Sequence, residues 1–180
     1  LHRNDVMTCV GGKSRSLSVY NGLIAAKSLS PDKVLIHDVA RPAVSENIIT
    51  DIIKEINEET GAAPGLPITD ALWKISDEEV EKTLNRDFIF RAQTPQGFPY
   101  SKILEAHKHR SSERSFDDVE LAKKSGLKVM LKEGHKDNMK ITTPEDFSKM
   151  SKILVKKLDI KLNGKYLMLQ NLVSPNQEEE

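Results

Sequence analysis

Val34-Leu35-Ile36-His37-Asp38-Val39-Ala40-Arg41-Pro42 is the stretch that decides the fold. A short uninterrupted apolar run that stops on a histidine and an aspartate reads as a buried central strand with a polar tip. Helical patterns flank it. From Ser16 to Lys27 the apolar positions Leu17, Tyr20 and Ile24 recur at helical spacing. Beyond it, Ser45 is an N-cap candidate, Glu46 lies in the first turn, and Ile48, Ile49, Ile52, Ile53 and Ile56 form one apolar stripe. Strands alternating with helices in this rhythm give an α/β domain with a largely parallel sheet.

Working outward, Val6 to Val10 reads as a first strand that stops at Gly11-Gly12, with Cys9 as its buried thiol. Residues 60 to 68 carry two glycines and two prolines, which predicts a short strand broken by turns. Thr69 to Arg86 is charged and weakly periodic, an excursion from the core that reads as an extended arm or a solvated loop. A helix around Ile103, Leu104 and Ala106 follows, then a helix opening at Asp117-Asp118 and a strand from Leu127 to Leu131. Thr143-Pro144-Glu145-Asp146 is a strong helix start, with a cap, a proline in the first turn and two acids at the positive end of the dipole. Leu158, Ile160 and Leu162 alternate with polar residues before Asn163-Gly164, a hairpin signal, and Pro175 to Glu180 reads as a disordered tail. The expected organisation is one domain over 1–157, with an arm at about 67–86, and a tail over 158–180.

Lys and Arg number 27 against 27 Asp and Glu, so no global field selects nucleic acid or an acidic membrane, and an anionic ligand must be held by local charge. The single cysteine excludes an internal disulfide, and no stretch has the length and apolarity of a signal peptide or membrane span. A reducing, cytoplasmic setting is the expectation. There is no Cys/His metal-ligand cluster, no Gly-x-Ser-x-Gly and no Walker loop.

In open α/β sheets ligands bind beyond the carboxyl ends of the strands, and the chemical candidates fall there. Gly11-Gly12-Lys13-Ser14-Arg15 opens a helix and lets backbone N–H groups approach a ligand closely, unless it is a plain strand-to-helix turn. Asp38 and Arg41 lie three residues apart: a carboxylate for phosphate-bound Mg2+ and a guanidinium clamp, or a structural ion pair. His37 reads as a packing residue or as a support for a neighbouring ligand contact. Arg86 and Thr94 supply a cation and a hydroxyl that would suit a phosphate monoester. Lys140 stands just before the capped helix as a point charge for phosphate.

Taken in order, these segments resemble the 2-C-methyl-D-erythritol 4-phosphate cytidylyltransferases. The blocks are Gly11-Gly12 with Arg15, Ser18-Val19 and Gly22-Leu23; Val34 to Pro42; Pro67-Ile68-Thr69-Asp70 with Lys74; Arg86 with Ala92-Gln93-Thr94-Pro95-Gln96-Gly97-Phe98; and Asn138 to Asp146. The resemblance implies a Rossmann-like nucleotidyltransferase fold and transfer of CMP from CTP to 2-C-methyl-D-erythritol 4-phosphate, with release of pyrophosphate and help from Mg2+ or another divalent cation. It implies that Gly12 and Ser18 lie at the cytosine, with Gly11 among the substrate-binding residues, that Asp38 serves the metal and ribose-phosphate region, and that Arg41 shapes the nucleotide pocket. It implies that Arg86, Thr94 and Lys140 grip the acceptor phosphate, with Arg86, Lys140 and Asp38 as the catalytic set. Asp70 and Asp117 belong to the substrate contacts. The arm, in the family, reaches across a homodimer.

The chain also departs from the family. Its first strand and Gly-rich loop with a following Pro-Lys, a βα element of about 30 residues or more, are not represented, which reads as an N-terminally truncated domain. Phe116 precedes the acidic pair where the family has threonine, Ala71 follows Asp70 where it has threonine, and Lys13 replaces a common acid. Three rival readings follow: a ribitol or other polyol phosphate cytidylyltransferase, an inactive fragment, and a bifunctional protein with a cyclodiphosphate synthase half.

Overall fold

The computed structural model describes residues 6–109 and 117–162, excepting the side chains of 158–162. The elements in chain order are α1 (Arg15–Ala26), β1 (Lys33–Ile36), α2 (Glu46–Glu55), β2 (Thr60–Pro67), β3 (Leu72–Ser76), β4 (Glu79–Leu84), β5 (Phe90–Ala92), β6 (Gln96–Pro99), α3 (Tyr100–Lys108), α4 (Asp118–Lys124), β7 (Lys128–Glu133) and α5 (Pro144–Leu162). The chain divides into two compact units, one of residues 1–37 and 46–134, the other of 38–45 and 135–180.

In the first unit the sheet runs β1-β6-β2, with β5 and β7 also paired to β2. Among the described residues only β2 and β7 are parallel neighbours, while β6 is antiparallel to both β1 and β2, so the largely parallel pairing expected from the sequence is corrected to a mixed sheet. The reason is geometric. β1, β2 and β7 point one way, but the 90–99 run returns between β1 and β2, which leaves β1 with β6 as its described neighbour rather than at the centre.

Both faces of this sheet are covered, as strand alternation at β6 shows. Phe98 is fully buried among Leu23 of α1, Ile103 and Leu104 of α3, and Leu121 and Ala122 of α4. One residue earlier the chain faces α2: a Cβ built on Gly97 would lie 2.4 Å from Ile52 Cγ2 and 2.7 Å from Ile56 Cδ1. The isoleucine stripe therefore buries Ile48, Ile52 and Ile56, while Ile53 stays exposed at its margin. On α1 the core residue is Leu23, and Ile24 is exposed, one position off the face expected from the pattern.

The segment read as a broken strand is β2, eight residues long and buried from Gly61 to Gly65. Its glycines are required because neighbouring side chains approach too closely for larger residues: a Cβ on Gly61 would meet Phe98 Cδ1 at 2.7 Å, and one on Gly65 would meet Leu131 Cδ1 at 2.7 Å. Conversely, Val6 to Val10 form no strand and Cys9 is exposed, against expectation. A strand exists through its ladder partners, and among the described residues this run has none; Val10 C=O instead accepts the Asn21 side-chain amide at 3.0 Å.

The excursion is an arm. β3 and β4 form a two-stranded ribbon with Trp73 paired to Thr83 and Lys74 to Lys82, and the turn residues Asp77 and Glu78 both have positive φ, 49° and 67°, the twist a two-residue hairpin requires.

In the second unit α5 starts at Pro144, with Thr143 Oγ1 accepting from the Asp146 N–H at 3.2 Å and Thr142 Oγ1 donating to the Asp146 carboxylate at 2.8 Å. The helix runs on to Leu162, so the hairpin expected from 158 is corrected up to that residue; once a capped helix is under way, three alternating apolar residues do not break it. The rest of that expectation, and the disordered tail, lie outside the described residues.

Replacing Gly97 by alanine drives a methyl into Ile52 and Ile56. A loss of about 1–3 kcal/mol is expected, read as a lower denaturant midpoint at unchanged m-value in equilibrium unfolding.

Candidate functional site

The glycine loop is built onto the start of α1. A Cβ on Gly12 would fall 2.2 Å from Leu17 Cβ, so only glycine lets the backbone lie against the first helical turn. The Gly12 N–H donates to Ser18 Oγ at 3.0 Å, and Ser14 caps the helix by accepting from the Leu17 N–H at 3.2 Å. Gly11, Gly12 and Ser18, predicted as one contact surface, are thus brought together, with Gly11 and Gly12 exposed to solvent.

At the same edge of the sheet, β1 ends beside the start of β6, with Ile36 opposite Gln96. This register brings Thr94 Oγ1 within 2.9 Å of His37 Nδ1. Thr94 is 4% exposed and His37 is exposed, so the histidine has a polar partner beside a predicted ligand-contact residue. Gln96 spans to α4, its Nε2 3.3 Å from Asp117 Oδ2 and its Oε1 accepting from the Val119 N–H. Asp117 is the N-cap of α4 and accepts from the Glu120 N–H at 2.9 Å. Phe116, its neighbour, lies outside the described residues.

Arg86 and Asp70 stand at the foot of the arm, both exposed. Arg86 donates from its guanidinium to the Thr69 carbonyl.

The second unit carries the charged cluster. A turn closed by the Arg41 N–H on the Asp38 carbonyl at 2.9 Å folds Arg41 back over Asp38, with Nε 3.7 Å from Oδ2. Lys140 Nζ approaches the same oxygen to 3.1 Å, and Arg41 Nη1 donates to the Asn138 carbonyl at 2.8 Å. The Ile141 N–H donates to Ala40 C=O at 2.9 Å, tying the two segments backbone to backbone. Burial pulls the Arg41 guanidinium below its ordinary pKa, against the opposing pull of Asp38. Three of the predicted residues, Asp38, Arg41 and Lys140, thus form one clasp of two cations on one carboxylate.

A further network had no signal strong enough to find in sequence. Arg15 Nη2 lies 2.8 Å from Asp118 Oδ2, and His107 Nε2 lies 3.1 Å from Asp118 Oδ1, with Asp118 and His107 essentially fully buried. Asp118 could be read only as a first-turn acid, because its partners come from two other helices.

The first unit is a layered α/β one with a glycine loop set on a helix start, an arrangement that suits anionic ligands; the second, by itself, holds a carboxylate between two cations. The chain belongs to the 2-C-methyl-D-erythritol 4-phosphate cytidylyltransferase family, whose profile matches residues 1–156. It is 45% identical over 155 residues to the bifunctional enzyme IspD/IspF of Ruegeria sp. (strain TM1040), covering 86% of this chain and 40% of that protein. It is 43% identical over 144 residues to the 2-C-methyl-D-erythritol 4-phosphate cytidylyltransferase of Cereibacter sphaeroides (strain KD131), covering 80% of this chain and 64% of that one. The crystal structure of the Thermus thermophilus cytidylyltransferase superposes with a TM-score of 0.75 at 34% identity, over 81% of this chain and 72% of that chain. The fold is thus the Rossmann-like one the resemblance implied, and the chain spans less than two thirds of the length of these curated relatives.

The Asp118 carboxyl feels burial as its largest influence, which raises its pKa, but the bonds from His107 and Arg15 together outweigh it and the net shift is downward. A lowered folded value means that its stabilisation is present above the ordinary aspartate range and is lost as pH falls through the folded value. Asp118→Asn should cost roughly 2–4 kcal/mol near neutrality, and the gap to the parent protein should narrow on acidification in urea unfolding series.

Proposed function

We propose that the chain is the base-reading and acceptor-binding part of an enzyme that transfers CMP from CTP to 2-C-methyl-D-erythritol 4-phosphate. Its family membership and the Asp38–Arg41–Lys140 clasp carry this reading. In the reaction a phosphate oxygen of the acceptor attacks the α-phosphorus of CTP, the bond to the bridging oxygen breaks, and pyrophosphate leaves. Nothing covalent is required of the protein, so its part is to hold the reactants in line and neutralise charge.

On this reading Gly12 and Ser18 hold the cytosine, Gly11 adds a substrate contact, and Arg41 shapes the nucleotide pocket. Lys140 and Arg86 neutralise the acceptor phosphate: one guanidinium N–H of Arg86 is spent on Thr69, and its fork has others to offer. Thr94 adds a hydroxyl steadied by His37. Asp70 and Asp117 complete the substrate contacts.

Among the described residues no three His, Cys, Asp or Glu side chains form a metal cage. Mg2+ fits such a site through one carboxylate, that of Asp38, together with the nucleotide's own phosphates. When bound, it would supply charge neutralisation at those phosphates.

The exposed apolar residues of the arm, Trp73, Ile75 and Val80, support a homodimer formed through it. No helix among the described residues is long and apolar enough to cross a membrane, in keeping with a cytoplasmic enzyme. The likeness to bifunctional relatives favours a second reading of the whole protein as a two-part enzyme, which sequencing the reading frame on both sides decides.

Pyrophosphate release should require CTP and methylerythritol phosphate and should be far slower with ribitol phosphate; the reverse preference would move the assignment to polyol phosphates. Arg86→Ala should raise the acceptor KM about tenfold or more with little change for CTP, and Asp38→Asn should lower Mg2+-dependent turnover by about 10–100-fold. Trp73→Glu should shift the protein towards monomer in sedimentation velocity.

A further inference from the structure

We propose that Arg15 is a positioning residue for the nucleotide: its ion pair with buried Asp118 fixes the Gly11–Gly12 loop. The inference rests on the cytosine-binding role proposed above for that loop.

Gly11 to Ser14 are all exposed, so burial does not hold them in place. What shapes them is local. Gly12 is pressed on Leu17, its N–H donates to Ser18 Oγ, and Ser18 Oγ in turn donates to the Ser14 carbonyl at 3.0 Å. These bonds make the loop and the first turn of α1 one piece, but they do not anchor that piece to the interior.

Arg15 does. It is the first residue of α1, and its Nη2 lies 2.8 Å from a carboxylate that is 1% exposed. That carboxylate cannot follow a moving loop. His107, fully buried on α3, holds its other oxygen at 3.1 Å, and α4 begins at Asp118 under a cap from Asp117. A shift of the loop would therefore pull a guanidinium off a buried anion, one of the stronger contacts available to a surface segment. The residue acts through the loop and not by touching the ligand.

The test uses the intact protein. Arg15→Met removes the charge at similar length and leaves Asp118 bonded to His107. The CTP KM should rise about fivefold, the acceptor KM should stay within about twofold, and Arg15→Lys should restore most of the CTP affinity. An unchanged CTP KM in Arg15→Met, or an equal rise of both KM values, overturns the proposal. A readout independent of turnover is amide hydrogen exchange: Gly12 and Leu17 should exchange about fivefold faster in Arg15→Met, with Val129 and Leu131 of β7 unaffected. Unaltered exchange at Gly12 and Leu17 also overturns it. A parent protein that turns over no CTP would sink the functional reading instead, and the exchange result would still decide the anchoring.

Discussion

The close approach of β6 to its neighbours is the constraint on which the rest of the first unit depends. Phe98 fills the space between the sheet and α1, α3 and α4, while Gly97 yields its side-chain volume to Ile52 and Ile56 of α2. One dipeptide thus sets the spacing of both layers. Because β6 lies between β1 and β2, it also fixes where their ends fall, and the meeting of His37 with Thr94 follows from that register. The chemistry-bearing edge is a by-product of how the core is packed.

Charge is handled differently in the two units. In the second, Asp38 is offset twice over, by Lys140 and Arg41, and the excess positive charge suits an anion. In the first, Asp118 is offset by Arg15 and His107 deep in the protein, where a carboxylate without partners would be costly to keep. On the proposed reading the Asp38 cluster faces ligand chemistry, and the Asp118 cluster supports the backbone of the glycine loop.

What the sequence made legible followed from local rules. The isoleucine stripe of α2, the capped start of α5, the polar tip after Ile36 and the excursion after Pro67 each announce themselves within a few residues. The direction of β6 did not, because an antiparallel strand inserted between two others has the same apolar pattern as a parallel one. Nor did the length of β2, whose glycines are explained only by partners distant in the chain. Asp38, Arg41 and Lys140, singled out by order and resemblance, come together in one ion-pair cluster. The tie between Arg15, His107 and Asp118 joins three helices and leaves no spacing to read.

The sheet's connectivity has a consequence for how the chain assembles during synthesis. Lys33 of β1 pairs with Pro99, and Thr60 of β2 pairs with Lys128, so neither early strand finds its full set of partners until much later residues have emerged from the ribosome. Until then the apolar faces of α1 and α2 have no sheet to cover. Such non-local closure slows folding and prolongs the exposure of apolar surface. The nascent protein therefore depends on protection from other molecules over this interval more than a bundle of comparable size would.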